Sequence, residues 1–277
     1  GDLDGEYIDS SEGYVTDELD LRRAHFAAAR TPLVFAMDTR APALFRGLIA
    51  YEYVRAIAAD VHGMGKLMMA NATPDRIFWL APHLDVMGTE TNWNPGGAWR
   101  PMSDADLLYR RAICGPKPFC FLMNTDFDAF GPDAVERYMR RCLAYGMFPG
   151  FFSPDAATGH YFSRPELYER DRPLFKRYVP LCKLLAEAGW EPVTNARTEA
   201  PHIRLERFGE SLLTVFNDSL ERAAATIVWE GAAPSAASRE LLSGAPAAWR
   251  ERLSADRAQA ETVLALGPEE VAVLRLR

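Results

Sequence analysis

The sequence predicts an α/β fold built on a parallel sheet, and two observations point to it. Five short apolar runs follow one another along the first 153 residues, and each one ends in polar or turn residues. Helical patterns fill several of the gaps between them. Apolar runs without alternation are typical of parallel strands covered on both faces, and alternating strands and helices are typical of α/β proteins.

The predicted strands occupy residues 5–11 (GEYIDSS), 66–72 (KLMMANA), 83–90 (HLDVMGTE), 118–124 (PFCFLMN) and 147–153 (MFPGFFS). The polar residues at their ends are Asp9, Asn71, Glu90, Asn124 and Ser153. In parallel strands connected by helices, side chains at the carboxyl ends gather at one edge. The sequence therefore predicts that these polar groups share an edge.

Helices are predicted at 45–62, 104–113, 133–144 and 164–190. Ser103 is a suitable N-cap for the second of these, because its hydroxyl can accept from a backbone amide in the first turn. Pro132 suits the start of the third. We expect Pro173 and Pro180 to interrupt the fourth, since proline removes a helical hydrogen bond.

The segment 16–42 is predicted to be a long insertion that covers the mouth of the barrel to which these strands are assigned below. Within it, 32–37 (PLVFAM) fits either a sixth parallel strand or a rim loop, and the prolines at 32 and 42 favour the loop.

From residue 191 the pattern becomes antiparallel, which divides the chain into domains 1–190 and 191–277. The predicted strands pair as two hairpins, 212–217 with 225–231 and 262–267 with 271–276. We expect them to form a small antiparallel β-sandwich.

Composition excludes several classes of function. The 277 residues carry a formal charge of −7, which argues against a nucleic-acid surface. No apolar run is long enough to span a bilayer. The four cysteines form no CxxC pair and the five histidines are scattered, so no metal site is predicted. Cys120, inside an apolar run, is expected to be a buried reduced thiol.

The order of the strands suggests a partial (β/α)8 barrel. If 147–153 is the eighth strand of such a barrel, 5–11 is the fourth and 83–90 is the sixth. Five strands cannot close a barrel. We therefore expect the N-terminal half of the barrel to be missing from this sequence, which leaves localisation open, with secretion or a periplasmic site among the options.

In this register, Asp9 ends strand four and Glu90 ends strand six. Two carboxylates that face one sugar are the equipment of glycoside hydrolysis, which requires no cofactor. The sequence therefore predicts a carbohydrate substrate. Glu12 is an alternative to Asp9 as the carboxylate at the end of strand four, because both acids lie on one short turn.

Other residues near the strand ends suit a sugar. Trp93 is a candidate stacking platform, although rim packing is an equal alternative. The amides of Asn71 and Asn124 and the carboxylate of Asp126 are candidate partners for hydroxyls, and Asp126 has a helix N-cap as its alternative. Further candidates are Arg22, in the insertion, and Asp85, which also fits a buried structural acid.

Several segments together resemble a known class of enzyme. They are GEYIDSSEGY, KLMMANATP, HLDVMGTETNW and FLMNTDF, followed by YERDRPLFKRYVPL, AGWEPVTNA and LERFG. Their arrangement over residues 5–230 resembles the C-terminal half of (β/α)8-barrel glycoside hydrolases of the α-galactosidase-like clan, including the endo-α-N-acetylgalactosaminidase type. The resemblance implies a terminal β-sandwich, a nucleophilic Asp after strand four and an acid/base carboxylate after strand six.

Carried over by position, the resemblance makes Asp9 the nucleophile and Glu90 the acid/base. The clan usually has Asp at the second position, which leaves Glu12 and Asp85 open as the proton donor. The expected function is a retaining glycosidase present as an inactive fragment. The alternative is an inert barrel that binds glycans or supports an assembly.

Overall fold

The computed structural model describes residues 3–10, 13, 16–73, 75–155, 158–252 and 257–276. By its internal contacts the chain divides into two compact units, residues 1–90 and 91–277. Both units contain parallel strands and antiparallel sheets, so the predicted α/β fold with a parallel sheet and antiparallel strands is confirmed. The partial (β/α)8 barrel, the β-sandwich and the domain boundary at residue 190 stay predictions.

The first unit contains three parallel strands, a small antiparallel sheet and one long helix. Its elements are β1 (Gly5–Ile8), β2 (Leu19–Asp20), α1 (Arg23–Phe26), β3 (Val34–Phe35), β4 (Pro42–Phe45), α2 (Arg46–Gly63), β5 (Leu67–Ala70), a 3₁₀ helix (Phe78–His83) and β6 (Val86–Thr91). Strand β5 pairs with β1 on one side and with β6 on the other.

The core of the first unit lies where α2 and the 3₁₀ helix Phe78–His83 pack against β5. Val54, Ala58 and Val61 recur at three- and four-residue spacing on α2 and are buried, as are Met68 and Ala70 of β5. This spacing places one face of the helix toward the strand. The burial of that face orients β5 and fixes which of its side chains point away from the helix.

The segment 32–37 is neither a barrel strand nor simply a loop. Val34–Phe35 forms β3, which pairs antiparallel with β4, and β4 also pairs with β2. Pro42 begins β4, the terminal position where a strand tolerates a missing amide hydrogen. Residues 19–45 therefore contain a small antiparallel sheet of order β2-β4-β3, and the position of the segment 16–42 over a barrel mouth stays a prediction.

The second unit contains a helical α/β part followed by antiparallel strands. The first part comprises a 3₁₀ helix (Pro95–Gly97), α3 (Asp104–Cys114), β7 (Phe119–Met123), α4 (Pro132–Ala144), β8 (Phe148–Phe151), a 3₁₀ helix (Tyr161–Ser163) and α5 (Pro165–Ala188). Ser103 caps α3 by accepting from the Asp106 amide at 3.2 Å, as predicted. Strands β7 and β8 are parallel.

The antiparallel part comprises β9 (Trp190–Glu191), β10 (Ala196–Arg197), β11 (Ile203–Phe208), β12 (Leu212–Asn217), β13 (Ala223–Glu230), β14 (Arg239–Glu240), β15 (Arg250–Arg252), β16 (Gln259–Leu266) and β17 (Val271–Arg275). They form two sheets of order β10-β13-β16-β15 and β14-β17-β12-β11-β9. Both sheets contribute to one apolar cluster, with Leu213 and Val215 from one and Ala225 and Ile227 from the other. None of the helices in the described ranges is long and apolar enough to cross a bilayer.

Helix α5 corrects the prediction of two interruptions, because it runs unbroken through Pro173 and Pro180. Seven residues are close to two helical turns, so both prolines lie on one face, and both are exposed. The carbonyls that lose a partner there can bond to water. The opposite face, with Tyr178, Cys182 and Leu185 buried, holds the helix against the unit.

The two predicted hairpins are wrong, although their strands are present. Strand β12 pairs with β11 and β17, whereas β13 pairs with β10 and β16 in the other sheet. Likewise β16 and β17 lie in different sheets. Every residue of β12 is buried, so this strand requires a neighbour on each edge and cover on both faces, which a two-stranded hairpin cannot supply.

A buried ionic network joins the helical and antiparallel parts of the second unit. Glu269, in the turn between β16 and β17, is 5% exposed. It accepts from Trp99 Nε1 at 3.1 Å and from Arg137 Nε of α4, and Arg141 of α4 lies 3.5 Å away. Arg141 also bonds to Asp218, at the end of β12. Two arginines and an indole thus satisfy one buried carboxylate.

Replacing Glu269 is therefore expected to weaken the second unit. In Glu269→Gln, Arg137 loses the carboxylate to which it bonds and Arg141 is left with Asp218, and we expect the free energy of unfolding to fall by about 2–3 kcal/mol. Urea titration followed by circular dichroism measures this. Glu187→Gln is the matched control, because the Lys183–Glu187 pair is exposed and 3.7 Å long, and we expect about 0.5 kcal/mol or less. Equal losses in the two variants would contradict the assignment.

A second buried carboxylate, Glu206 of β11, lies where β11 meets β9 and α3. It is 8% exposed and accepts from Trp190 Nε1 at 2.6 Å. Burial raises the pKa of Glu206 to about 7, and the indole hydrogen bond acts in the opposite direction. Nearby Asp104 raises this pKa further, while buried Arg111 lowers it.

Glu206 makes stability depend on pH. The folded state keeps this proton up to a higher pH than the unfolded chain does, so stability is expected to fall as pH rises from about 4.5 to about 7, by at most about 3 kcal/mol. Glu206→Gln should flatten that interval and be the more stable protein above pH 7. Urea unfolding at pH 5, 6, 7 and 8 checks it, and parallel curves for the two proteins would refute it.

Candidate functional site

The carboxyl ends of β1, β5 and β6 bring three of the predicted site residues together. Ile8 is paired with Ala70 and Ala70 with Met87, so the three strands end at the same edge. Asp9 and Asn71 directly follow the paired residues, and Glu90 lies near the end of β6. Adjacent strands are about 4.8 Å apart, which places Asp9 and Glu90 on chains about 10 Å apart.

Asn71 is the residue that links this edge. Its side chain is 3% exposed. Its Nδ2 donates to Asp9 Oδ1 at 3.1 Å, while its Oδ1 accepts from the backbone amides of Ala72 at 2.7 Å and Glu90 at 3.3 Å. Its own amide donates to the Ile8 carbonyl at 2.8 Å. One buried amide therefore bonds to all three strand ends.

The backbone turns sharply beside both Asp9 and Asn71. Ser10 and Ala72 have φ values of 54° each, in the left-handed region that non-glycine residues rarely adopt. The Ser10 amide donates to Asp9 Oδ1 at 2.7 Å, so this oxygen receives two hydrogen bonds. Asp9 is exposed, and its Oδ2 has no partner among the described residues. This arrangement holds one carboxylate oxygen and leaves the other accessible to a ligand.

Asp85 does not belong to this edge, which corrects its prediction as a substrate-binding residue and as the alternative proton donor. It immediately precedes β6, five residues before Glu90, which corresponds to about 16 Å along a strand. Its Oδ2 accepts from the Met68 amide at 2.8 Å and contacts His62 Nε2 at 2.7 Å. Asp85 joins the end of α2 to the start of β5 and β6. The competing acid Glu12 lies outside the described residues.

Arg22 lies in the insertion and is bound to its own neighbours. Its guanidinium donates to both oxygens of Asp20, at 2.8 and 2.9 Å, and His25 Nδ1 lies 2.6 Å from the same carboxylate. The Arg22 hydrogen bonds hold the pKa of Asp20 well below its usual range. The three side chains rim a groove of about 970 Å³ floored by apolar residues of α2 and the insertion. Among the described residues, the Arg22 side chain bonds to Asp20 and makes no bond to Asp9, Asn71 or Glu90.

In the second unit, the structure corrects the prediction of Trp93 as a sugar platform. The ring is 2% exposed and packs edge-to-face against Phe121 and Tyr138, with centroids 4.9 and 5.2 Å away. The alternative prediction for Trp93 is packing at the rim, but the ring is buried more deeply than a rim position would be. A ring that is almost fully buried has no free face on which a pyranose could stack.

Asn124 and Asp126 lie just beyond β7, as predicted. Asn124 Oδ1 accepts from the Ser153 amide at 3.4 Å and so links the ends of β7 and β8. Asp126 is exposed and accepts from the Asp128 amide at 3.0 Å. It caps a turn rather than a helix, because Gly131 is the N-cap of α4.

Sequence reasoning missed an aromatic pair at the end of β8. The rings of Phe152 and the exposed His160 lie 5.2 Å apart at an interplanar angle of 36°. The signal available was the aromatic residue that directly follows the strand, although its partner is eight positions away. Among the described residues, no group of three or more His, Cys, Asp or Glu could hold a metal ion.

The chain matches no protein-family model and no curated protein. Among solved structures it resembles a debranching enzyme from Nostoc punctiforme, at 14% identity and a TM-score of 0.41. The match covers 87% of this chain and 65% of the enzyme, so the chain spans less than two thirds of that protein.

Two further structures resemble it at similar levels. One is AmyP in complex with maltose, at 9% identity, with a TM-score of 0.41 and coverage of 89% of this chain and 70% of that one. The other is the Thermotoga maritima α-fucosidase, at 13% identity and a TM-score of 0.33, covering 84% and 57%. At such values these likenesses do not identify a family for this chain.

The bridging position of Asn71 predicts a local effect on stability. Asn71→Ala removes the acceptor of two backbone amides and one donor to Asp9, and we expect a loss of about 2 kcal/mol in the free energy of unfolding. Hydrogen exchange at Ala72 and Glu90 should accelerate. Asn124→Ala, which removes one 3.4 Å bond, serves as control, with an expected loss below about 1 kcal/mol. Unchanged exchange at both amides would contradict the bridge.

Proposed function

We propose that this chain carries the carboxylate pair of a glycoside hydrolase, with Asp9 as nucleophile and Glu90 as proton donor. The observation that supports it most is the Asn71 bridge, which ties both positions to one edge and leaves one oxygen of Asp9 accessible. The resemblance to the α-galactosidase-like clan implies a nucleophilic Asp after strand four and an acid/base carboxylate, usually Asp, after strand six, and this supports the proposal.

The proposed reaction needs only these two acids and water. The Asp9 carboxylate bonds to the anomeric carbon while the glycosidic bond breaks, and the Glu90 proton passes to the departing oxygen. Water then attacks the same carbon, returns its proton to Glu90 and releases Asp9. Two displacements at one carbon retain the configuration.

The site is proposed to work in a longer assembly. Among the described residues, β1 is paired only with β5, so its other edge is available to a further parallel strand. We propose that the missing half of a barrel pairs there and completes the substrate site. Activity is therefore to be measured on the complete polypeptide, or on this chain together with the missing half.

The two roles predict different responses to leaving-group quality. Asp9→Asn should abolish hydrolysis of every aryl α-galactoside and α-N-acetylgalactosaminide, because no covalent intermediate forms. Glu90→Gln should lose about 10²–10⁴-fold on a phenyl glycoside. It should lose far less in the first step with a 2,4-dinitrophenyl glycoside, whose leaving group needs no proton.

Asp85→Asn is the matched control, since this acid lies away from the edge, and it should keep the wild-type response to leaving groups. Initial rates across the aryl series measure all three variants. Wild-type rates in Asp9→Asn would refute the assignment. Folded wild-type protein with no activity on any glycoside would favour an inert glycan-binding barrel instead.

A further inference from the structure

We propose that the antiparallel part of the second unit contains a separate binding site for a neutral sugar ring, built around Trp229. A cavity of about 590 Å³ lies there, lined by Trp229 and Glu230 of β13, Asn195, Arg207, Glu210, the segment 231–235 and Leu276. This volume is within the range of small-molecule sites. The proposal is independent of any activity at Asp9 and Glu90.

The indole of Trp229 offers a hydrogen-bond donor to this cavity. The ring is half-buried and packs against the apolar cluster shared by the two sheets. Within the described ranges, its Nε1 has no hydrogen-bond partner. By contrast, Trp190 donates to Glu206 at 2.6 Å and Trp249 donates to Ser238 at 3.0 Å. The Trp229 nitrogen is not enclosed by the protein, so an acceptor that enters the cavity, such as a sugar hydroxyl, can reach it in place of water.

Gly231 keeps this donor accessible. A Cβ at this position would lie 2.9 Å from Trp229 Nε1. The backbone of Gly231 is outside the left-handed region, so its conformation does not require glycine. The small residue instead preserves the space beside the indole nitrogen.

The lining chemistry fits a sugar better than an ion. Arg207 and the indole supply donors, Glu210 and Glu230 supply acceptors, and Asn195 supplies both. Arg207 is anchored to the Val193 carbonyl at 2.7 Å, and Glu230 bonds to Arg197 and Gln259 at 2.9 Å each. Arg207 also pairs with Glu191, so with Arg197 included this region holds three carboxylates and two guanidinium groups, which disfavours an anion. A cation would leave the indole donor without an acceptor. The hydroxyl groups of a sugar can accept from the donors and donate to the acceptors of this cavity, next to the edge of the Trp229 ring.

The test follows the indole ¹H–¹⁵N resonances of the whole chain during titration with methyl galactoside, methyl glucoside and N-acetylgalactosamine. The Trp229 resonance is assigned from its absence in Trp229→Phe. We expect it to shift saturably with at least one sugar, in the millimolar range. The Trp249 resonance, whose donor is occupied internally, should stay fixed.

Two variants separate the site from the fold. Gly231→Ala should weaken sugar binding by about tenfold or more because the new methyl group occupies the space beside Nε1, while the other indole resonances confirm folding. Asp9→Asn should bind as the wild type does, which keeps this result apart from the proposed activity. The proposal is overturned if no sugar moves Trp229 more than Trp249. It is also overturned if inorganic phosphate or tetramethylammonium shifts Trp229 and the sugars do not.

Discussion

The in-register parallel pairing of β1, β5 and β6 is the constraint on which the candidate site depends. Because Ile8, Ala70 and Met87 are aligned across the three strands, the residues that follow them emerge at one edge. Asn71 then holds these residues in place, since its buried side-chain amide bonds to the Asp9 carboxylate and to the backbone amide of Glu90. A slip of one residue would exchange the faces of every side chain in a strand and separate this group.

The second unit is held by a different physical device. Helix α4 carries Arg137 and Arg141, and the antiparallel strands present Glu269 and Asp218 to them. Buried charges of this kind are costly unless each one is paired, so the network tolerates few alternative arrangements of the helix against the sheet. The aromatic cluster around Trp93 adds apolar contact on the side of β7.

The sequence predicted the elements more accurately than their pairing. The five parallel strands and the helices α2, α3 and α4 appear where apolar periodicity, Ser103 and Pro132 indicated. The predicted pairing of β12 with β13 was wrong because a short connection is compatible both with a hairpin and with a crossover between two sheets. Only the burial of β12 on both faces separates these two possibilities, and burial is a property of the whole fold.

The same limit applies to individual site residues. Asn71 and Glu90 could be placed from their positions at strand ends, but the bridging role of Asn71 depends on a register that no single segment encodes. Asp85 and Glu90 both fall within the predicted strand 83–90, whereas β6 begins at Val86, so Asp85 precedes the strand and Glu90 lies near its other end. In the sequence, Trp93 stands between polar residues in a segment that reads as a loop. Its burial depends on packing against Tyr138, which is 45 positions away.

The role of Asp9 can be measured most directly by trapping. A 2-deoxy-2-fluoro galactosyl fluoride slows the second displacement and should leave a sugar bound to the nucleophile. Mass spectrometry of the proteolytic peptides should then place the added mass on Asp9, within GEYIDSSE. Label on Glu12, or on any residue away from the ends of β1, β5 and β6, would contradict the account.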